Sequence, residues 1–172
     1  HLQKVETGIK VYQTAIYARL SREDNLSSSD SIENQIALLE RYIDARPYLQ
    51  LAGIFADNGF TGTDFERPEW QRLMEAVQQR KINCIIVKDL SRLGRNYIET
   101  GEFLEKICPF FGIRFIAVND NFDTDTAEAN GQLSVSLSNI INDYYATDIS
   151  RKVTTALRTK MEKGKYTAAW EK

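Results

Sequence analysis

Three arginines and one serine are placed where they could act on a phosphate. Arg19 and Ser21 stand two positions apart at the end of an apolar, β-branched run, Val11 to Arg19, and Arg92 and Arg95 follow a second such run, Ile82 to Lys88. Side chains at i and i+2 of a strand leave the same face, so Arg19 and Ser21 can address one pocket. A phosphodiester calls for such surroundings: planar guanidinium forks hold its non-bridging oxygens and stabilise the charge gained in the transition state. A serine hydroxyl in that field can attack phosphorus. Its proton must leave to a carboxylate, an arginine or water, because the chain has one histidine, His1, at its extreme end. The same count excludes Ser-His-Asp and Cys-His triads and any histidine-ligated metal. Singly, an arginine is a surface group and a serine after a strand is a turn cap. The constellation carries the argument.

The elements that must position these groups alternate between strand and helix. Val11 to Arg19 reads as the first strand, and the polar loop after it ends at Asp30, which with Glu33 makes a capping-box pattern for a helix over about 31–46. Leu49 to Ala56 is a second strand, and Pro68 opens a helix to about Arg80. Ile82 to Lys88 is nearly all apolar, as in a parallel strand buried on both faces. Tyr97 to about Phe111 is helical, with Pro109 able to end it early and Gly112 stopping it in any case; Arg114 to Val118 is a fourth strand. This alternation predicts an α/β fold: an open, mostly parallel sheet flanked by helices, with functional groups at the carboxyl ends of its strands. Arg19-Leu20-Ser21, Asp57-Asn58-Gly59 and Asp89-Leu90-Ser91-Arg92 all fall at such ends. After a loop from Asn119 to Thr126, a helical pattern runs unbroken from about 129 to 163, with an apolar stripe of Leu133, Leu137, Ile140, Ile141, Tyr144, Ile149, Val153, Leu157 and Met161. At about 1.5 Å per residue this helix outruns a small domain, so its stripe is expected against another subunit.

The 172 residues suit one domain of ordinary size, and 42% hydrophobic content supports a core. Cys84 and Cys108 lie in apolar stretches and read as reduced core residues of a cytosolic protein. No apolar run approaches a membrane span, and no signal-peptide pattern opens the chain. The net charge of −2 is unevenly spread: residues 151–172 hold seven basic and two acidic groups, net +5, leaving −7 on the rest. An acidic body with a basic tail fits a protein that meets a polyanion at one end. The expected layout is a terminal extension at 1–11, an α/β domain at 12–128, a long helix at 129–163 that meets another subunit and carries the basic end, and the start of a linker at 164–172. No helix-turn-helix pattern, cysteine-rich zinc cluster or second globular region is visible, so any module of that kind is expected beyond Lys172.

Four motifs occur in a telling order: Tyr17-Ala18-Arg19-Leu20-Ser21, Ser31-Ile32-Glu33-Asn34-Gln35, Asp57-Asn58-Gly59-Phe60-Thr61-Gly62 with Arg67-Pro68, and Ser91-Arg92-Leu93-Gly94-Arg95. Together they resemble the catalytic domain of the serine recombinases, the resolvase and invertase superfamily, over roughly residues 12 to 160. The Ser-Ile-Glu-Asn-Gln motif and the basic extension are similar to the large serine recombinase and transposase branch. The resemblance implies a bacterial, DNA-associated enzyme for DNA cleavage and rejoining, with Ser21 as the nucleophile of a 5′-phosphoserine intermediate and Arg19, Arg92 and Arg95 as its phosphate clamp. Tyr17, Gln35, Asp57 and Arg67 would support them. Bond energy is kept in the protein linkage, so the resemblance implies no cofactor and no metal. It also implies double-stranded DNA as partner and a homodimer that becomes a tetramer in the synaptic complex. Arg151, Lys152, Arg158, Lys160 and Lys163 are the expected DNA contacts.

The chain departs from the family in three places. Relatives usually have aspartate directly before the first arginine of the last motif, where this chain has Ser91. If the strand stays extended there, Asp89 shares a face with Ser91 and could replace that carboxylate. A Glu-Arg pair common in the long helix is Tyr145-Ala146 here, and Ala76 stands where smaller relatives have lysine. Two rival readings remain: a non-catalytic dimerisation and DNA-contact module of the same fold, and a small α/β phosphotransfer or ligand-binding domain, which would leave the arginines unexplained.

Overall fold

The apolar runs condense into one sheet. Tyr12–Leu20 (β1), Leu49–Asn58 (β2), Cys84–Val87 (β3), Arg114–Ala117 (β4) and Phe122–Asp123 (β5) lie in the order β2-β1-β3-β4-β5. The first four strands are parallel, and β5 pairs antiparallel to β4. The computed structural model describes residues 10–20, 31–58, 67–94, 97–129 and 133–163. Every residue of β3 is buried, as its continuous apolar run predicts for a central parallel strand.

Helices cover both faces. Ile32–Asp44 (α1) packs Leu39 and Ile43 onto Tyr12, Ile16, Cys84, Ile86 and Ile116. The alternate residues of the strands point the other way. There Pro68–Gln78 (α2) places Trp70 edge-on to Tyr17, at 4.9 Å between ring centroids. Trp70 meets Phe103 at 5.2 Å, and Phe103 meets Phe115 of β4 at 6.1 Å. Offset and edge-on ring contacts of this kind add about 0.5–1.5 kcal/mol each beyond area burial.

Some local expectations are corrected. The α1 cap is Ser31, one residue after Asp30, because the Ser31 hydroxyl accepts from the Asn34 amide at 3.2 Å. Asp30 lies outside the described residues. Pro109 does not end its helix: Tyr97–Glu102 (α3) passes through a π turn at Phe103–Ile107 into Cys108–Phe111 (α4). The wider turn comes directly before a proline that has no amide hydrogen to give. Gly112 then stops the helix with φ of 66°, a left-handed conformation that glycine takes without steric cost. The segment expected as a loop from Asn119 to Thr126 holds β5 and the start of Thr124–Ala129 (α5). Arg114 fixes β5 by a two-point ion pair with Asp123 at 2.7 and 3.0 Å, and the Thr124 hydroxyl accepts from the Phe115 amide at 2.9 Å.

The chain divides into two compact units, residues 1–133 and 134–172. The second consists mostly of the helix Leu133–Glu162 (α6), about 45 Å long at 1.5 Å per residue. Along it Ile149, Val153, Leu157 and Met161 recur every four residues and are all more than half exposed. Among the described residues, no helix is long and apolar enough to cross a membrane.

Candidate active site

In this strand order the chain moves outward from β1 to β2 and then crosses back to β3 on the other side of β1. A parallel sheet opens a crevice where its order reverses, beyond the carboxyl ends of the strands concerned. Here those ends are β1 and β3, the strands that lead into Arg19 and Arg92.

Arg19 and Arg92 hold each other by the main chain. The Arg19 guanidinium donates from Nη2 to the Ser91 carbonyl at 2.8 Å and from Nε to the Arg92 carbonyl at 3.3 Å. In return, Arg92 Nη1 donates to the Arg19 carbonyl at 2.7 Å. Both residues are buried, at 3% and 6% exposure, which for a cation requires such anchoring. Carbonyl oxygens orient a guanidinium without supplying a full countercharge. Gln35 of α1 closes the same knot from the other side: its amide nitrogen donates to the Arg19 carbonyl at 3.2 Å and its oxygen accepts from the Arg19 amide at 3.4 Å. Gln35 is fully buried, and its side-chain amide satisfies both main-chain groups of Arg19 near the end of β1.

Asp57 supports the site through α2. The N-cap position of that helix is Arg67, whose side chain makes no capping bond. Asp57, the second-last residue of β2, supplies the cap instead: Oδ1 accepts from the Glu69 amide and Oδ2 from the Trp70 amide, both at 3.1 Å. A carboxylate there also meets the positive end of the helix dipole. The Tyr17 hydroxyl donates to the same Oδ2 at 3.0 Å. Burial, with the Asp57 charge beside it, pushes the Tyr17 hydroxyl pKa well above its ordinary value, so Tyr17 stays protonated and donating. The Arg67 and Arg19 charges pull in the opposite direction and do not prevail. Arg67, held at the helix start, donates from Nη1 to the Leu93 carbonyl.

Asp89 and Ser91 do come together, though not along an extended strand. Asp89 is extended, but Leu90–Arg92 is a 3-10 turn, and the Ser91 hydroxyl donates to Asp89 Oδ1 across it. The same Asp89 oxygen lies 3.6 Å from Arg92 Nε. One contributor escaped the sequence reading: Asp120, in the turn after β4, accepts from the Leu90 amide at 2.7 Å. Its only sequence signal is an Asn-Asp-Asn turn composition, which many loops share.

Seven of the nine expected site residues, Tyr17, Arg19, Gln35, Asp57, Arg67, Asp89 and Arg92, are thus joined by one network of hydrogen bonds and close charges at the β1–β3 edge. Ser21 and Arg95 lie outside the described residues. Of the expected DNA contacts, Arg158, Lys160 and Lys163 are exposed on or just after α6, with Arg158 3.9 Å from Glu162. The side chains of Arg151 and Lys152 lie outside the described ones.

Comparison with known proteins adds a second line of observation. Residues 14–166 match the family model "Resolvase, N terminal domain". A protein of Bacillus subtilis (strain 168), "Putative DNA recombinase", is 29% identical over 153 residues. That match covers 87% of this chain and 28% of the Bacillus protein's length. The crystal structure of the N-terminal catalytic domain of TP901-1 integrase is 28% identical, with a TM-score of 0.62 over 82% of this chain and 98% of that one. A resolvase family site-specific recombinase from Streptococcus pneumoniae shares the fold at 22% identity and a TM-score of 0.59, over 88% of this chain and 99% of that one.

Proposed function

The chain belongs to the resolvase N-terminal domain family, and from that premise we propose that it is the catalytic domain of a serine recombinase that cleaves and rejoins DNA. The observation that carries this reading is the mutually anchored pair of buried arginines, Arg19 and Arg92, at the β1–β3 edge. Two fixed cations at the mouth of a parallel sheet suit a phosphodiester, whose negative charge grows as a fifth oxygen approaches phosphorus. Ser21 follows Arg19 by two residues and is the proposed nucleophile. Its oxygen bonds to phosphorus while the bond to the 3′ oxygen breaks. The serine proton goes to a base or to water, and the leaving oxygen gains one to become a 3′ hydroxyl. Rejoining runs the same steps backward, with the 3′ hydroxyl of the exchanged strand displacing Ser21, so no external energy source is consumed.

The supporting residues divide by what they hold. Gln35 fixes the end of β1, Asp57 with Tyr17 fixes α2 and hence Arg67, and the 3-10 turn fixes Arg92. Arg95 would complete the phosphate clamp. The exposed basic groups of α6 would meet double-stranded DNA, and its apolar row, Ile149, Val153, Leu157 and Met161, would bury itself in a homodimer that pairs into a tetramer.

The test is covalent capture. The full chain is incubated with sheared DNA from its own organism and quenched in denaturant, and DNA that remains attached to protein is recovered. A phosphoserine bond mapped to Ser21, absent in Ser21→Ala, supports the proposal. Binding without any covalent product under conditions that support recombination would make the domain a non-catalytic module of the same fold.

A further inference from the structure

Asp120 reaches the arginine network from outside the family motifs and from a different strand end, through the Leu90 amide. It sits between β4 and β5, and two main-chain bonds carry the sheet pairing up to it: the Val118 amide to the Val87 carbonyl at 3.1 Å and the Asn119 amide to the Lys88 carbonyl at 2.8 Å. Asn121 then closes a tight turn, donating its amide to the Val118 carbonyl at 3.2 Å with φ of 50°. Asp and Asn are the side chains that tolerate such left-handed positions best after glycine. The turn aims Asp120 Oδ2 at the Leu90 amide.

The Leu90 amide opens the 3-10 turn Leu90–Arg92, and an amide at a helical start has no partner within its own turn. Asp89 stands at the capping position but makes no capping bond; its carboxylate engages the Ser91 hydroxyl and faces Arg92 instead. The cap therefore comes from Asp120. What it holds is the segment whose Ser91 and Arg92 carbonyls seat the Arg19 guanidinium and whose Arg92 side chain grips the Arg19 carbonyl.

We infer that Asp120 is a positioning residue for DNA cleavage: through the Leu90 amide it fixes the 3-10 turn that aligns Arg19 and Arg92 with each other. The inference rests on the proposed recombinase activity. It assigns Asp120 no contact with DNA, and an amide oxygen at the same place can accept the same hydrogen bond.

The experiment compares the full chain with Asp120→Ala and Asp120→Asn. Three quantities are read: hydrogen exchange of the Leu90 amide, the single-turnover rate of covalent complex formation on DNA recovered by the capture above, and the DNA concentration giving half of that rate. Losing a charge-assisted, half-buried bond to the Leu90 amide predicts faster Leu90 exchange and a covalent rate lower by roughly tenfold to a hundredfold in Asp120→Ala. Half-saturation should stay within about threefold, since phosphate charge elsewhere sets affinity. Asp120→Asn should recover most of both the exchange protection and the rate. An unchanged rate in Asp120→Ala overturns the inference, as does an Asp120→Asn protein as slow as the alanine variant. If Asp120→Ala loosens the Leu90 amide while the unaltered chain forms no covalent complex, the recombinase reading has failed and the contact has not.

Discussion

Replacing Asp57 with alanine tests how the site is built more directly than removing any arginine. Asp57 is 1% exposed and accepts three hydrogen bonds, from the Tyr17 hydroxyl and from the Glu69 and Trp70 amides. Alanine leaves the start of α2 uncapped, which costs about 0.5–2 kcal/mol. It also orphans a phenol that is fully buried, which costs about 1–3 kcal/mol more. The sum, about 1.5–5 kcal/mol, corresponds to a fall in Tm of roughly 3–20 °C for a domain of this size. Tyr17→Phe removes one of the three donors and should cost only about 1–2 kcal/mol. Because both substitutions break the same bond, the double variant should be more stable than the two single losses added together, by about 1 kcal/mol. Denaturant unfolding of the four proteins measures the cycle. A loss below about 1 kcal/mol in Asp57→Ala, or strict additivity with Tyr17→Phe, would refute the claim that this carboxylate caps α2 and holds the phenol at once.

Four further outcomes are expected. Ser21→Ala abolishes the covalent DNA complex and leaves DNA affinity within about threefold, because a hydroxyl adds little to a contact dominated by phosphate charge; persistent cleavage would remove Ser21 from its role. Arg92→Lys should fail to restore the cleavage lost in Arg92→Ala, since an ammonium cannot both hold the Arg19 carbonyl and present a planar fork, and single-turnover rates will show whether it does. Burial pushes the Cys84 thiol up from 9.0 to about 12, so its share of stability is complete below pH 9 and is lost between pH 9 and 12. Denaturation curves across that range should slope downward by up to about 1.4 kcal/mol per pH unit more in the natural protein than in Cys84→Ala. Replacing Lys160 and Lys163 with alanine should weaken binding to all DNA sequences and reduce the salt slope by about two, whereas Val153→Asp with Leu157→Asp should lower self-association in sedimentation and leave that slope unchanged.

Much of the frame was legible because it rests on periodicity. The two-sided apolar run of β3, the amphipathic α1 and the strand-helix alternation are properties of local sequence, and each appears close to its expected bounds. The misses share a cause. β5 has two residues, too few for any alternation, and is held by partners on β4, Arg114 to Asp123 and the Phe115 amide to Thr124. The six residues of α5 are too few to show a helical period and fell largely in the expected loop, while the apolar spacing of the later helix gives no sign of where it starts, expected near 129 and found at Leu133. Asp57 looked like a residue past its strand, and its use as a cap for α2 depends on a partner more than ten residues away. A hint was present: Pro68 opens a helix with no Ser, Thr, Asp or Asn before it, so the cap had to come from elsewhere.

The same contrast separates the parts of the site. Residue types and motif order pick out the arginines, but they say nothing of how two cations can be buried side by side. The structure answers with main-chain carbonyls, three of which are bonded by Arg19 and Arg92 and a fourth by Arg67. Carbonyl anchors carry no side-chain identity, so sequence cannot reveal them. They also constrain evolution differently from ion pairs. A substitution at Ser91 or Leu93 leaves its carbonyl in place as long as the turn keeps its shape. This lets a chain with serine at position 91 present Arg92 against Arg19: the Leu90 amide at the start of the turn is bonded to Asp120, and the carboxylate beside Arg92 comes from Asp89. Side chains that shape the turn should therefore be the sensitive ones, and a glycine at Leu90, which is buried and starts the turn, should disturb the arginine pair more than alanine at Ser91.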